Sequence, residues 1–266
     1  MAKILKERSD QVQSLVRALS LVNRIAESDE GVTLTELGQQ VGLSASTAHR
    51  LLTTLEQERY VRFDAERRLW SVGVQAFVAG SGFLKTRSLV PMARPHMRAM
   101  MEECDETVNL AVEEEAEAIY LAQVECHQMM RAFARPGRRV PLHCSGVGKA
   151  LLSAMPDATL SRVLHRVGLA RVTVKTLSTT VALKADLEAA RERGYAVDDE
   201  EHAVGLRCIA AVIFNENADA VAAVSLSGPL ARIPDERIPL LGRLVRDKAD
   251  AITGQLGGVL PGWRVG

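Results

Sequence analysis

Hydrophobic residues near the start of the chain recur every three or four positions, and that spacing predicts three helices. Residues 10–28 place Leu15, Ala18, Leu19, Val22, Ile25 and Ala26 on one side, the side expected to pack inward. In the next segment Thr33 and Glu36 have the spacing of a capping box, with Leu34, Leu37 and Val41 at helical intervals behind them. Gly42 suits the left-handed residue that closes a helix, Leu43 plugs inward, and Ser44 caps the helix that follows. There Ala48, Leu51, Leu52 and Leu55 fall at i, i+3, i+4 and i+7 and form one apolar stripe. Two short helices joined by so tight a turn read as a helix-turn-helix, although ordinary helical hairpins share this geometry.

After Glu58 the period changes from helical to alternating. Residues 60–63 and 69–73 flank the polar turn 64–67 and predict two short strands. Three helices followed by a two-stranded ribbon is the winged form of the motif, in which the hairpin lies beside the reading helix. Residues 74–84 predict a linker helix whose end is loosened by Gly80 and Gly82; it is too apolar to stand free, so a second subunit is expected to cover it. Residues 89–104 resume a helix, with Pro91 and Pro95 biasing its uninterrupted part to start at Pro95.

Downstream, strands are predicted at 107–112, 118–124, 130–134, 195–198, 208–214 and 220–226. Helices are predicted at 146–154, 157–166, 183–193 and 234–256. This order suggests an α+β domain on an antiparallel sheet. The expected division is a winged helix-turn-helix over 1–73, a linker helix over 74–88 and the α+β domain over 89–266.

Composition narrows the picture in three ways. A chain of 266 residues, 47% hydrophobic and 25% charged, is long enough for about two folded domains. Net charge is zero, and residues 1–73 hold ten basic and ten acidic residues, so any nucleic-acid surface must come from placement rather than bulk charge. Lys3, Lys6 and Arg8 in the N-terminal arm and Arg67 with Arg68 at the hairpin make such placement feasible. Cys104, Cys126, Cys144 and Cys208 form no Cys-x-x-Cys pair, which argues against a zinc site or a disulfide framework. There is no long apolar run and the N-terminus is too charged for a signal peptide, so a cytoplasmic protein without membrane, metal or cofactor is expected.

Candidate chemistry lies in three stretches. Opposite the leucine stripe, the second helix of the hairpin presents Ser46, Thr47, His49, Arg50 and Thr53. No acidic residue occurs from Ser44 to Leu55, so that face can meet phosphates and base edges. Residues 140–152 look like a phosphate loop at Gly148-Lys149 but fail the pattern, since His143 stands where its first glycine belongs and Ala150 where its hydroxyl belongs. What survives is a helix N-terminus at Gly146 to Gly148, a natural place for a small anion. Residues 198–202, Asp-Asp-Glu-Glu-His, form an acidic run in which alternation would turn Asp198 and Glu200 inward and Asp199 and Glu201 outward. His143 and Cys144, as chain neighbours, point apart and make a poor nucleophile and base.

Taken together, the stretch from Leu43 to Leu52, residues 140–152, the segment Gly194-Tyr-Ala-Val-Asp-Asp-Glu-Glu, and Gly205-Leu-Arg-Cys-Ile-Ala-Ala resemble the isocitrate lyase regulator (IclR) family of bacterial transcription factors. Ser225-Leu-Ser-Gly-Pro-Leu-Ala-Arg-Ile extends the resemblance toward the C-terminus, so it covers nearly the whole chain. Within that family the chain looks most like the acetate-operon, glyoxylate-bypass branch.

The resemblance implies a winged helix on a GAF-like effector domain. It implies palindromic double-stranded operator DNA as partner, dimers through the DNA-binding part and linker helix, and tetramers through the effector domains. It implies a small-acid effector such as glyoxylate or pyruvate. DNA contacts would fall on Ser44, Ser46, Thr47, His49, Arg50, Thr53, Arg67 and Arg68. Effector contacts would be Gly146, Val147, Asp198 and Cys208, with Met129, Ala132, Val140 and Leu206 as apolar walls.

The chain departs from the branch at Val147, where alanine is usual, and at Ala132, where methionine is usual, so a reshaped pocket is expected. Arg59 stands where the family has glycine, which strains the turn into Tyr60. A carboxylate at Asp198 facing an anionic effector favours an acid that also offers a donor, such as a hydroxyl or a hydrated aldehyde, over a plain dicarboxylate. Two other readings stay open at this point: a small-molecule enzyme carrying a winged-helix interaction module, and a nucleic-acid binder whose second domain only oligomerises.

Overall fold

The computed structural model describes residues 12–86, 89–132 and 134–264. The chain divides into two compact units, Met1–Arg87 and Ser88–Gly266.

The first unit runs α1 (Gln13–Ala26), α2 (Leu34–Val41), α3 (Ala45–Gln57), β1 (Val61–Asp64), β2 (Leu69–Val72) and α4 (Val74–Thr86). Residues 10 and 11, where a helix start was expected, lie outside the described residues. The capping box forms as the spacing predicts: Thr33 Oγ1 accepts from the Glu36 amide at 3.3 Å and the Glu36 carboxylate accepts from the Thr33 amide at 3.0 Å. Gly42 closes α2 with φ 67°, a conformation any side chain would strain. Leu21, Ile25, Leu37, Leu52, Val61 and Trp70 meet in one core, so α1, α2, α3 and the ribbon are mutually fixed.

The inward face of α1 differs from the expectation. Leu15 and Leu19 are 57% and 54% exposed, whereas Leu21 and Ile25 are buried. This helix is apolar on two faces, and periodicity alone does not say which one meets its neighbours. Helix α4 runs on through both Gly80 and Gly82 instead of loosening there.

In the second unit α5 (Leu89–Cys104) is followed by β3 (Thr107–Glu114), β4 (Glu117–Val124) and β5 (Arg139–Pro141). Then come α6 (Gly146–Ser153), α7 (Asp157–Val167), α8 (Thr180–Arg193), β6 (Ala196–Asp199), β7 (Leu206–Phe214), β8 (Ala220–Pro229) and α9 (Ile238–Gln255). The six strands form one antiparallel sheet in the order β5-β4-β3-β8-β7-β6. Ala210, Val212, Phe214 and Ala223 pack under α6, α7 and α8. Because strand side chains alternate, Ile209, Ala211 and Ile213 face the other way, where α5 and α9 lie.

Three local expectations are corrected here. Helix α5 begins at Leu89 and contains Pro95 in its interior. Pro91 falls in the first turn, where a missing N–H costs nothing, so only one internal bond is lost at Pro95. The described residues of 130–134 form no strand; Phe133 lies outside the described residues. The edge strand is instead β5, which pairs Val140 with Ala118 after the turn at Gly137. The last helix starts at Ile238, after a 3-10 turn at Asp235–Arg237.

Candidate functional site

Helix α3 begins with hydroxyls that hold one another. Ser44 Oγ accepts from the Thr47 amide at 3.3 Å and lies 3.2 Å from the Ser46 hydroxyl and 2.9 Å from that of Thr47. These short side chains thus cluster at a helix N-terminus, where backbone amides and the helix dipole favour a phosphate. Ser46, His49 and Arg50 are exposed; Thr47 and Thr53 are half-buried. The Thr53 hydroxyl donates to the His49 carbonyl at 2.9 Å, so its proton is used within the helix. The Arg50 guanidinium makes no ion pair with any carboxylate among the described residues, which leaves its charge available on the surface. On the ribbon, the Asp64 carboxylate accepts the amides of Glu66 and Arg67 at 3.0 and 3.1 Å, and the Arg67 amide holds its carboxyl below the usual value. The turn so formed leaves Arg67 and Arg68 exposed at the tip.

Arg59 leaves α3 with φ 62°, in the left-handed region. The expected strain is therefore present, at a cost of roughly 1 kcal/mol relative to glycine.

In the second unit a cavity of about 180 Å³ opens against the sheet near the start of α6. Its polar floor is set by strand register. Asp198 pairs with Cys208, and Cys208 pairs with Ser227, so the three lie in one row across β6, β7 and β8. Gly146 lies directly over this row: a Cβ there would meet the Cys208 Cβ at 2.9 Å, so only glycine permits the approach of α6. Ser145 caps α6, accepting from the Gly148 amide at 3.2 Å while donating to the Pro141 carbonyl at 2.6 Å. The start of α6 is thereby held against Cys208 at Gly146.

Asp198 is 1% exposed, and its carboxylate accepts the amides of Glu201 at 2.8 Å and His202 at 3.2 Å. Burial, with the nearby Glu201 charge, pushes its carboxyl up to about 7 despite those two bonds. Burial also pushes the Cys208 thiol well up, helped by Asp198, and burial lowers His202. At neutral pH the floor therefore carries a neutral thiol, a neutral imidazole and a carboxyl near its midpoint. Cys144 approaches His202 Nδ1 at 3.9 Å, but burial raises its thiol to about 12, and His143 is tied to the Ala170 carbonyl at 2.9 Å. Neither cysteine is a poised thiolate.

Alternation along the acidic run breaks at Glu200, whose φ of 60° ends the strand and turns the chain. Glu201, expected to point outward, is buried instead and pairs with Lys149, itself fully buried. Lys149 also lies 2.8 Å from Asp186, so one cation ties α6, α8 and the loop after β6 together. Glu200 reaches Lys175 at 2.6 Å near the surface.

Of the expected effector contacts, the cavity brings together Ala132, Val140, Asp198, Leu206 and Cys208. Neither Gly146 nor Val147, expected as polar contacts, lines the cavity: Gly146 packs against Cys208 and the Val147 side chain is buried in the core. Met129, expected as a wall, is 99% exposed and does not line the cavity, because the segment after β4 runs as an open loop. Sequence reasoning missed Asn109, Tyr120, Ser145, His202 and Ser227, which also line the cavity, and Arg138 at its rim. Ser145 and Ser227 lay within recognised motifs; Asn109 and Tyr120 arrive only through pairing of distant strands.

Residues 14–65 match the IclR helix-turn-helix domain, and residues 81–254 match the bacterial transcriptional regulator IclR C-terminal domain. The chain belongs to the IclR family of transcriptional regulators. It is 48% identical over 251 residues to the transcriptional repressor IclR of Escherichia coli K12, covering 94% of this chain and 92% of that protein. The acetate operon repressor of Salmonella typhimurium is also 48% identical, over 250 residues, covering 93% of this chain and 91% of that protein. An IclR homolog from Microbacterium hydrocarbonoxydans, solved in complex with 4-hydroxybenzoate, superposes with a TM-score of 0.78 at 26% identity, covering 90% of this chain and 99% of that one. An IclR family regulator binds DNA through its helix-turn-helix and carries an effector-binding domain, and the relatives named here are regulators rather than enzymes. No helix among the described residues is long and apolar enough to cross a membrane, and no group of three or more His, Cys, Asp or Glu among them is arranged to hold a metal ion.

Proposed function

We propose that this IclR family member is an operator-binding repressor released or retained by a small carboxylic acid, of the size of glyoxylate or pyruvate, held in the cavity of the second unit. The observation that carries this reading is the cavity itself, lined by a buried carboxyl at Asp198 and a buried thiol at Cys208, with the start of α6 packed against Cys208. Ser44, Ser46, Thr47, His49 and Arg50 face the major groove, Thr53 borders it, and Arg67 with Arg68 reach the neighbouring backbone. Asp198 accepts a hydroxyl from the effector, and Ala132, Val140 and Leu206 form the walls.

The chain works as a dimer, with higher assembly to a tetramer. Support comes from the apolar residues left exposed on α1 and α4, Leu15, Leu19, Val74, Phe77 and Val78, which water alone would cover at a cost. The domain division follows: winged helix to Gly73, connecting helix over 74–88, effector domain beyond. Effector binding shifts the spacing of paired reading helices relative to half-sites about one helical turn, or a multiple, apart.

The test is titration of glyoxylate and pyruvate into the protein on a palindromic operator at fixed salt. One or both are expected to change operator affinity at least fivefold. If neither does, and neither binds the free protein by calorimetry, the sensing role falls.

A further inference from the structure

We propose that Arg138 is the specificity-determining residue of this pocket, anchoring the carboxylate of a 2-hydroxy or hydrated 2-oxo monocarboxylate whose hydroxyl donates to Asp198. This rests on the effector reading above and adds to it a cationic end that the recognised motifs do not contain.

Three observations carry it. First, Arg138 lines the same cavity as Asp198; Asp198 is buried, whereas Arg138 is an exposed loop residue. Second, the guanidinium has no carboxylate partner among the described residues, although its neighbours do. Arg131 pairs with Glu125 at 2.8 Å and Arg139 with Glu117 at 3.1 Å, so the loop uses its other charges structurally and leaves this one to the cavity. Third, the backbone of Arg138 is fixed to the sheet. The Tyr120 amide donates to the Arg138 carbonyl at 3.0 Å, the Gly137 amide donates to the Tyr120 carbonyl at 2.7 Å, and the Arg138 amide donates to the Arg135 carbonyl at 3.1 Å. Its positive charge is also felt across the cavity: after burial, it is the next influence lowering His202, and it opposes the effect of burial on Tyr120.

A cation at the rim and an acceptor at the floor select a two-ended ligand. A planar guanidinium matches a carboxylate with two parallel bonds. A second carboxylate at the floor would meet Asp198, so dicarboxylates are disfavoured, and a neutral ligand would leave Arg138 unpaired.

The experiment is calorimetry on the full chain with glycolate, glyoxylate and pyruvate, and with the neutral analogue glycolamide, for wild type and Arg138→Gln, at low and high salt. Arg138→Gln is expected to weaken the acids by about 10- to 100-fold, to remove the salt dependence of their binding, and to leave glycolamide unchanged. Unaltered thermal unfolding and unaltered operator binding without acid establish that the variant is folded; Arg138→Lys, which keeps the charge, is the second variant and is expected to bind the acids better than Arg138→Gln. Acids that bind wild type and Arg138→Gln within twofold overturn the role of Arg138 and leave the effector reading standing. Acids that fail to bind wild type overturn both.

Discussion

The reading helix and the effector pocket solve opposite problems with polar side chains. On α3 the functional groups are exposed or half-buried and positioned by bonds no more than four residues long: Ser44 to Thr47 and Ser46, Thr53 to His49. In the second unit they are buried and positioned by partners far away in sequence: Lys149 to Glu201 is a separation of 52 residues, and Cys208 meets Ser227 only through strand pairing. An exposed polar group needs only a local scaffold because water satisfies the rest of it. A buried one must have every partner built, and those partners come from wherever the fold brings them.

The contrast predicts where substitutions hurt. The largest effect is expected at Lys149→Met, which leaves Glu201 buried without its cation; the second unit should lose about 3–5 kcal/mol in urea unfolding. Lys149→Met with Glu201→Gln should recover part of that loss. A single variant costing less than about 1 kcal/mol would show that the buried pair is not what holds α6 to the loop after β6.

Next is Asp198→Asn, which keeps an oxygen to accept the amides of Glu201 and His202. The folded carboxyl titrates near 7 against an unfolded value near 3.8, so the folded state holds the proton more tightly. The stability this gives is full below about pH 4 and is lost as pH rises through 7. Asp198→Asn should therefore be more stable than wild type at pH 8, by up to about 4 kcal/mol, with little difference at pH 4. Parallel stability curves for the two proteins across that range would contradict the buried, proton-holding carboxyl.

On the reading side the effects are smaller and fall on binding rather than folding. Arg50→Ala should lower operator affinity by about 1–3 kcal/mol while the unfolding midpoint stays put. A lowered midpoint would mean that Arg50 braces the domain instead. The smallest expected change is a gain: Arg59→Gly relieves the left-handed strain at φ 62° and should stabilise the first unit by about 1 kcal/mol. Loss of stability there would show that the Arg59 side chain makes a contact worth more than the strain.

Sequence by itself determined the parts governed by local rules. The Thr33 and Glu36 box, the Gly42 stop, the Ser44 cap, the alternating ribbon and most of the sheet strands follow from propensities and periods that act over a few residues. The tight turn at Arg59 was legible as a departure from glycine. Family likeness supplied Asp198 and Cys208; that they are neighbours came from the register of β6 on β7.

Tertiary structure alone decided which of two apolar faces α1 buries, because both faces satisfy the same helical period. It decided that Glu201 rather than Glu200 turns inward, because one left-handed residue reverses the alternation that a straight strand would keep. It also decided that Arg138 rather than Met129 reaches the cavity, since the loop between β4 and β5 has no period to read and its course is set by hydrogen bonds to Tyr120. Local rules fix a residue's conformation; which distant groups share its surroundings depends on packing, and the charges of this pocket are fixed only there.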